Sequence, residues 1–455
     1  MTAEISEKRN PITEGVIWKQ LLLFFFPILL SLFFQQLYNM ADTMIVGRFV
    51  GKEALSAVGG STGMLTKMIV EFFIGLTSGT TVVVAQYYGA KEEDRVSVAV
   101  HTSMVFSVVL GVGIMVIGIP LSPWMLSAMG TPQDIMDLSV FYLRIYFLGI
   151  IGNLLYNTGA SILRAVGDSR RPLYILIATC FLNILLDVVL IVMFRLGVMG
   201  AALATIASQF LSSVMVLLCL MRTKDMHRVC LQKLHMNLAM LKRVVQVGFS
   251  AGLQSVMFGI SNLIVQGGIN SLGTDHVAAW TVHRNIDGLF WMVITAFCSA
   301  ITTFTGQNYG ANKPDRVRKG MRCCMMMTVG ISLILSWIFY NWAVLGFGLF
   351  TDDAAVTELG ISIMRYLCPY YVIYVAVEVF SGALRGVGDC WMPMILCLFG
   401  VCILRSGWIL LAVPGKRTLE HILFSYPLTW FITTAMFIIY YLFFSKLRIR
   451  KRIIP

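Results

Sequence analysis

The chain alternates long apolar runs with short polar connections from one end to the other. Each run has about 20 residues or more, enough for a helix rising ~1.5 Å per residue to cross the ~30 Å hydrocarbon core of a membrane. The runs are continuous rather than alternating, which favours helices over a transmembrane β-barrel. We therefore predict an all-α polytopic membrane protein with twelve transmembrane helices. The predicted spans are 18–46, 62–84, 97–119, 138–160, 172–194, 200–221, 244–268, 281–304, 321–345, 361–384, 392–413 and 421–444.

The longest connection between these spans, residues 222–243, lies in the middle of the chain and is basic. We interpret it as a cytoplasmic linker between two halves of the chain. It separates an amino-terminal six-helix lobe, residues 1–221, from a carboxy-terminal six-helix lobe, residues 244–455.

Two motifs occur once in each half at a constant spacing. The segment QYYGAKEEDRV begins at Gln86 and matches QNYGANKPDRV from Gln307, and LRAVGD at Leu163 matches LRGVGD at Leu384. Both pairs are 221 positions apart, which indicates a duplication. Six spans per half give the halves the same orientation, so the lobes are predicted to be related by a pseudo-two-fold axis along the membrane normal. We expect this arrangement to form a cleft between the lobes that opens alternately to the two sides of the membrane.

Basic residues concentrate in alternate connections, such as those that contain Lys91 and Arg95, Arg170 and Arg171, and Lys313. This asymmetry predicts that both termini are cytoplasmic. The formal charge of +12 therefore reflects membrane orientation, and no nucleic-acid partner is expected. Only 13% of the residues are charged, against about 25% in soluble proteins, so the lipid bilayer is the expected surrounding.

The sequence contains no motif that predicts an enzyme or a resident cofactor. H-E-x-x-H is absent, and the two Gly-Asp loops lack the phosphate-binding glycine pattern. The ten cysteines show no metal-ligand spacing and are interpreted as small core residues. Gly75 and Gly79 form a G-x-x-x-G segment, which predicts a close contact between helices.

The first span carries one acid, Asp42, with no Lys or Arg within four residues. A carboxylate at membrane depth is costly and by default indicates an ion or substrate path. Asn183 and Asp187 in the fifth span are four residues apart and share a helix face. Counting ~1.5 Å per residue from the span ends places these three residues and Thr205 of the sixth span at one depth, in the outer half of the membrane.

Two carboxylates, an amide and a hydroxyl form an oxygen-rich donor set that suits a hard monovalent cation such as Na+. Desolvation disfavours the charged form of a carboxylate, so a proton is the alternative. The residues alone leave Na+ and H+ both open as the ion bound by Asp42, Asn183, Asp187 and Thr205.

Other charged residues within spans have simpler interpretations. Lys67 and Glu71, and likewise Arg284 and Asp287, are spaced as local helix pairs. Glu378 has no basic neighbour within four residues and would attract cations in a cleft. The sequence leaves open whether Glu71, Asp287 or Glu378 contributes to transport. The candidate residues of a substrate cleft are Gln36, Tyr38, Asn157 and Glu378.

The pattern P-x14-D-T-x3-G, formed by Pro27, Asp42, Thr43 and Gly47, resembles the multidrug and toxic compound extrusion (MATE) family. QYYGAKEEDRV, the paired LR-x-x-GD loops and the N-x3-D of the fifth span resemble it as well. The resemblance implies a monomeric bacterial transporter of the cell (inner) membrane. It would export small amphiphilic, often cationic drugs or metabolites in exchange for Na+ or H+.

The resemblance also implies that Asp42, Asn183, Asp187 and Thr205 match the family's amino-lobe cation site. Some members have a second site with an acid in the seventh span, and that span has no acid in this sequence. We therefore expect ion coupling through the amino lobe alone.

The main alternative is a lipid-linked oligosaccharide flippase of the same superfamily. Such a protein would need a basic cleft for its pyrophosphate substrate. The Arg residues available for such a cleft, Arg144, Arg365 and Arg405, are few, and the best polar cluster is acidic. A major-facilitator porter, a membrane-embedded enzyme and a channel fit the repeated loops and the acidic site less well.

Overall fold

The computed structural model describes residues 10–445 and 447, and all regular structure in this part of the chain is helical. Within it, twelve helices are long and apolar enough to span a membrane, which confirms the predicted fold class. We number them α1 to α12. They are α1 Ile17–Phe49, α2 Lys52–Gly89, α3 Glu93–Ala128, α4 Gln133–Ala165, α5 Arg170–Met193, α6 Val198–Arg222, α7 Leu238–Asn270, α8 Thr274–Gly310, α9 Pro314–Asn341, α10 Ala354–Gly386, α11 Trp391–Gly415 and α12 Leu419–Phe443.

Most of these helices are longer than the apolar runs that predicted them. The added length consists of polar turns at the helix ends. For example, α3 begins with Glu93 and Asp94, which are too polar for the membrane but are favourable beside the positive end of the helix dipole. Hydropathy detects only the part of a helix that is surrounded by lipid. Two of the twelve helices contain π-helical turns, at Val188–Met193 in α5 and Leu398–Ile403 in α11.

The chain forms two compact units. The amino unit comprises Pro27–Val84 and Glu92–Val256, and in its interior α4 packs mainly against α3 and α6. The predicted linker lies in this unit. Its backbone leaves α6 after Arg222 and enters α7 at Leu238, so it is shorter than the predicted 222–243.

The carboxy unit comprises the described residues of Met1–Phe26, Ala85–Lys91 and Met257–Pro455. Its central helices are α8 and α10, which pack against each other and against α9. The lobe boundaries at 221 and 244 stay a prediction.

The duplicated motifs have matching local structures. Gly167 and Gly388 both follow a helix and have positive φ angles of 100° and 86°, which glycine adopts at little cost. The backbone N–H groups of Asp168 and Asp389 then donate to the carbonyl oxygens five residues earlier. The two LR-x-x-GD loops are therefore the same helix-ending turn, used twice.

The glycines of the other repeated motif approach its second copy closely within the carboxy unit. A Cβ on Gly89 would overlap the carbonyl oxygen of Gln307, and a Cβ on Gly310 would overlap that of Gln86. These two contacts are reciprocal, since Gln86 corresponds to Gln307 and Gly89 to Gly310 in the repeat. Glycine is required at both positions because the backbones are too close for any side chain.

The predicted contact at Gly75 and Gly79 is confirmed. Within the amino unit, α2 lies against α7 so closely that a Cβ on Gly75 would overlap Gly252, and one on Gly79 would overlap the Val244 carbonyl oxygen. Both neighbours are backbone atoms, which cannot rotate away as a side chain would.

Replacing Gly79 by alanine is therefore expected to destabilise the protein, by about 1–3 kcal/mol as for other overpacked sites. Gly113→Ala in α3 is the matched control, because a Cβ there meets no atom within 4 Å. The measurement is the apparent melting temperature of each purified variant in the same detergent. Equal melting temperatures for the two variants would show that the α2–α7 contact is not this tight.

Candidate cation site in the amino unit

Four polar side chains from α1, α5 and α6 are buried in the amino unit. Asp42 of α1 is 9% exposed, Asn183 and Asp187 of α5 are fully buried, and Thr205 of α6 is 4% exposed. They are the four residues that the sequence predicts as a cation site. Such burial is unusual for carboxylates unless they are paired or bind a ligand.

Most of their side-chain polar atoms are buried without a hydrogen-bond partner among residues 10–445 and 447. The unpartnered atoms include both carboxylate oxygens of Asp187, one of Asp42, both polar side-chain atoms of Asn183 and the Thr205 hydroxyl. An orphaned buried polar group costs about 1–3 kcal/mol, and more when it is charged. So many at one place indicate a site that takes up a ligand.

The two carboxylates interact electrostatically with each other, and no basic side chain of the described chain contributes to the electrostatics of either. Tyr38, one turn before Asp42 on α1, lies within electrostatic range of both acids and adjoins Thr205. The ring of Tyr142 on α4 also lies within electrostatic range of both acids. The site is thus an acidic cluster bordered by phenols, with no internal counter-charge.

An apolar cluster adjoins the site on one side, one helical turn away from it on each of the three helices. It includes Val46 and Ile191, four residues after Asp42 and Asp187, and Ala201, four residues before Thr205. Three helices thus meet at equivalent positions, which agrees with the depth counted from the sequence. The cluster covers one side of the site with hydrocarbon.

The helical geometry changes directly after Asp187. The α-helical part of α5 ends at this residue, and a π-helical turn runs over Val188–Met193, with the N–H of Phe194 bonded to the Val189 carbonyl oxygen. Short π-helical segments occur often at functional sites, because the inserted residue changes the direction of nearby side chains. Asp187 therefore lies at the one place on α5 where the backbone deviates from α-helix.

Sequence reasoning missed part of this cluster. Tyr142 and Tyr146 of α4 are stacked with ring centroids 6.4 Å apart, and Gln209 of α6 adjoins the Tyr146 hydroxyl. The i, i+4 spacing of the two tyrosines, and of Gln209 with Thr205, was a weak signal for shared helix faces. It did not show that these faces point toward Asp42.

The candidate cleft residues differ in their surroundings within each unit. Gln36 is exposed, whereas Tyr38 is half-buried beside the acids. Asn157 in the amino unit donates to the backbone and side chain of Asn153. Glu378 in the carboxy unit accepts a hydrogen bond from the Tyr374 hydroxyl at 3.3 Å.

The two predicted helix pairs have opposite outcomes. Lys67 and Glu71 form the expected ion pair at 3.8 Å. The Arg284–Asp287 prediction is wrong. Arg284 is exposed, and Asp287 instead accepts a 2.6 Å hydrogen bond from the indole N–H of Trp291, which lies one turn further along the same buried face.

The donor set of the amino-unit site suits a monovalent cation. Nowhere in residues 10–445 and 447 do three or more His, Cys, Asp or Glu side chains group as a metal site would require. Two carboxylates with neutral amide and hydroxyl oxygens match a hard ion of low charge, and the carboxylates can also hold a proton.

Comparison with known proteins agrees with this architecture. The MatE family model matches residues 27–189 and 247–407. The chain is 27% identical over 456 residues to the probable multidrug resistance protein YoeA of Bacillus subtilis (strain 168), with 96% of each chain covered. It is 22% identical over 408 residues to the multidrug export protein MepA of Staphylococcus aureus (strain bovine RF122 / ET3-1), covering 88% of this chain and 89% of that protein.

Among solved structures, a MOP superfamily transporter from Pyrococcus furiosus Vc1 (DSM3638) superposes with a TM-score of 0.88 at 23% identity, covering 95% of this chain and 97% of that one. This likeness shows the shared fold. Since the family model matches both halves and more than half of the residues, the chain belongs to the MatE family of multidrug and toxic compound extrusion transporters and is a transporter rather than an enzyme.

Proposed function

We propose that this protein is a secondary active exporter that exchanges small amphiphilic compounds for Na+ or H+ through the cluster Asp42, Asn183, Asp187 and Thr205. The observation that carries the proposal is the pair of buried carboxylates with unpartnered oxygens and no basic neighbour in the described chain. A structural polar cluster would satisfy these groups internally. Here their charge is left for a mobile cation to neutralise.

Ion binding changes the packing energy of α1 against α5 and α6. Without the ion, the like charges of Asp42 and Asp187 repel each other. Water or substrate in an open cleft stabilises this charged, ion-free state. With the ion, the neutralised cluster can close beneath the apolar residues Val46, Ile191 and Ala201. The ion and the drug shift one conformational equilibrium in opposite directions, each by its differential affinity for the two states.

Pro27 supports a bend in α1 during this change. It lies within the helix, where it removes one backbone hydrogen bond and weakens the turn before it. The boundary between the compact units also falls at this residue. Movement of the α1 segment that carries Asp42 can therefore begin at a defined point.

The names of the relatives support drug export as the activity, since both refer to multidrug resistance or export. We propose amphiphilic, often cationic substrates, with Gln36, Asn157 and Glu378 as candidate cleft residues. The flippase alternative is not favoured, because the charged side chains with unpartnered buried atoms in the described amino unit, Asp42 and Asp187, are acids rather than the bases that a pyrophosphate needs. A second candidate function has no comparable support.

We also propose that the protein acts as a monomer in the bacterial cell membrane with both termini in the cytoplasm. The support is the concentration of basic residues in alternate connections, including the segment between α6 and α7.

Asp187→Asn is expected to abolish export while leaving the amount of membrane-inserted protein unchanged. The amide keeps the size of the side chain but cannot carry the charge that the ion neutralises. Efflux of a fluorescent cationic dye from cells should fall by about tenfold or more, equivalent to a lost coupling free energy of at least about 1.4 kcal/mol. Asp137→Asn, an exposed acid of α4 in the same unit, is the control and should transport normally. Undiminished efflux by Asp187→Asn would contradict the proposed ion coupling.

Vesicles with an imposed Na+ gradient or an imposed pH gradient distinguish the two ions. We expect one gradient alone to drive dye accumulation and Asp42→Asn to eliminate the response. Thr205→Val adds a second readout. Removing a neutral oxygen ligand should raise the Na+ concentration for half-maximal transport by roughly tenfold if Na+ is the ion, and should leave a proton-driven rate unchanged. Transport that neither gradient drives would contradict ion coupling.

A further inference from the structure

The carboxy unit contains a buried cation that the proposed ion cycle does not use. Arg405 lies near the middle of the membrane-spanning helix α11 and is only 4% exposed. It follows the second π-helical turn, Leu398–Ile403, almost directly. A charged side chain at this depth is expensive and by default indicates a functional group.

Within the described chain, Arg405 has few partners. Its Nη2 donates to the Thr429 hydroxyl at 3.0 Å, and its guanidinium lies 4.0 Å from the centroid of the Tyr426 ring. Its Nε is buried with no hydrogen-bond partner. One hydrogen bond uses one of the five N–H donors of a guanidinium, so most of the donors of this side chain are unused.

No carboxylate among residues 10–445 and 447 compensates this charge. The side chains that act on Arg405 electrostatically are Tyr426, Tyr374 and Cys402, none of which is an acid. The acid of the neighbouring helix, Glu378, instead interacts with Arg385, which lies two turns after it on α10. Arg405 thus differs from a structural arginine, which at this depth would pair with an acid.

The surroundings of Arg405 are aromatic. Tyr426 adjoins Trp430 with ring centroids 5.5 Å apart, and Trp430 adjoins Tyr374 and Trp291 at 5.8 Å and 6.2 Å. Tyr426 and Trp291 are only half-buried, so part of this aromatic group remains reachable. Flat aromatic side chains favour stacking with an aromatic ligand.

We propose that Arg405, with Tyr426 and Trp430 beside it, binds the carboxylate of an aromatic compound. The guanidinium fork suits a carboxylate because two parallel N–H groups can donate to its two oxygens. The ligand's ring would lie against Tyr426 and Trp430. The inference adds aromatic carboxylates to the substrates of the proposed exporter, and it rests on the proposed function for export but not for binding.

The structure favours a carboxylate over a second inorganic ion for this position. A cation is excluded by the charge of Arg405, and a small hydrated anion would gain nothing from the aromatic group. The polarity is also opposite to that of the amino-unit site, where the unpartnered groups are Asp42 and Asp187.

The test is equilibrium binding to the full-length protein in phosphatidylcholine nanodiscs, with radiolabelled 1-naphthoate and its uncharged analogue 1-naphthamide as probes. The wild-type protein should bind 1-naphthoate at least about tenfold more tightly than the amide. Arg405→Gln should weaken 1-naphthoate binding by about 10- to 100-fold, the range expected for charge-assisted hydrogen bonds, and leave the amide unchanged. Arg405→Lys keeps the charge but loses the fork, so its loss should be smaller.

Matched variants separate this site from other effects. Arg365 of α10 also lies over a tyrosine ring, at 5.8 Å from the Tyr340 centroid, but is exposed, so Arg365→Gln should bind 1-naphthoate normally. Asp137→Asn, the exposed acid of α4 outside the cation site, should also bind it normally. Failure of ion-driven export with intact Arg405-dependent binding would therefore overturn the proposed function and leave this inference standing.

Three results would overturn the inference. The first is equal affinity of the wild-type protein for 1-naphthoate and 1-naphthamide, which needs no variant and is decisive even if Arg405→Gln does not fold. The second is unchanged 1-naphthoate binding in folded Arg405→Gln. If that variant does not fold, unchanged binding by Arg405→Lys has the same meaning. The third is displacement of 1-naphthoate when phosphatidylglycerol replaces part of the phosphatidylcholine, which would assign Arg405 to lipid phosphate.

Discussion

The structure depends on one constraint: a charged side chain within a membrane must be compensated by a partner, by water or by a ligand. Most charged side chains of this chain lie near helix ends or form local pairs, as Lys67 and Glu71 do. Asp42 and Asp187 are the clearest departures, because three of their four carboxylate oxygens are buried and unpartnered in the described residues. Under the proposed function, the free energy lost by burying these groups is recovered when a cation binds to them.

The duplication explains why the two halves share backbone turns and close contacts, but it does not explain where their charged side chains lie. The Gly-Asp turns at Gly167 and Gly388 have the same hydrogen bonds, and Gly89 and Gly310 approach the repeated glutamines reciprocally. The charges have diverged: the fifth span carries Asp187, whereas its counterpart α11 carries Arg405. Backbone contacts tolerate only glycine and therefore keep both copies alike, but a side chain directed into a site can change in one lobe alone.

Sequence spacing was a reliable guide to contacts within one helix only where no stronger partner competed. The i, i+3 spacing of Arg284 and Asp287 predicted an ion pair, but the indole N–H of the half-buried Trp291 donates to Asp287, and Arg284 is exposed. Glu378 has no basic residue within four positions, yet Arg385 reaches it from two turns away. Long side chains and tertiary packing decide such pairings, and a four-residue window cannot include them.

The sequence by itself determined the twelve spans, their duplication and the acids that cannot be left uncompensated in lipid, because hydrophobic length and charge act through the bilayer on each helix separately. Counting along the helices also placed Asp42, Asp187 and Thr205 at one depth. Only the tertiary structure decided which faces meet: it brought Tyr142 within electrostatic range of the acids, Gln209 to the Tyr146 hydroxyl and aromatic rings to Arg405. Helix rotation and packing fix those contacts, and they depend on residues far apart in the chain.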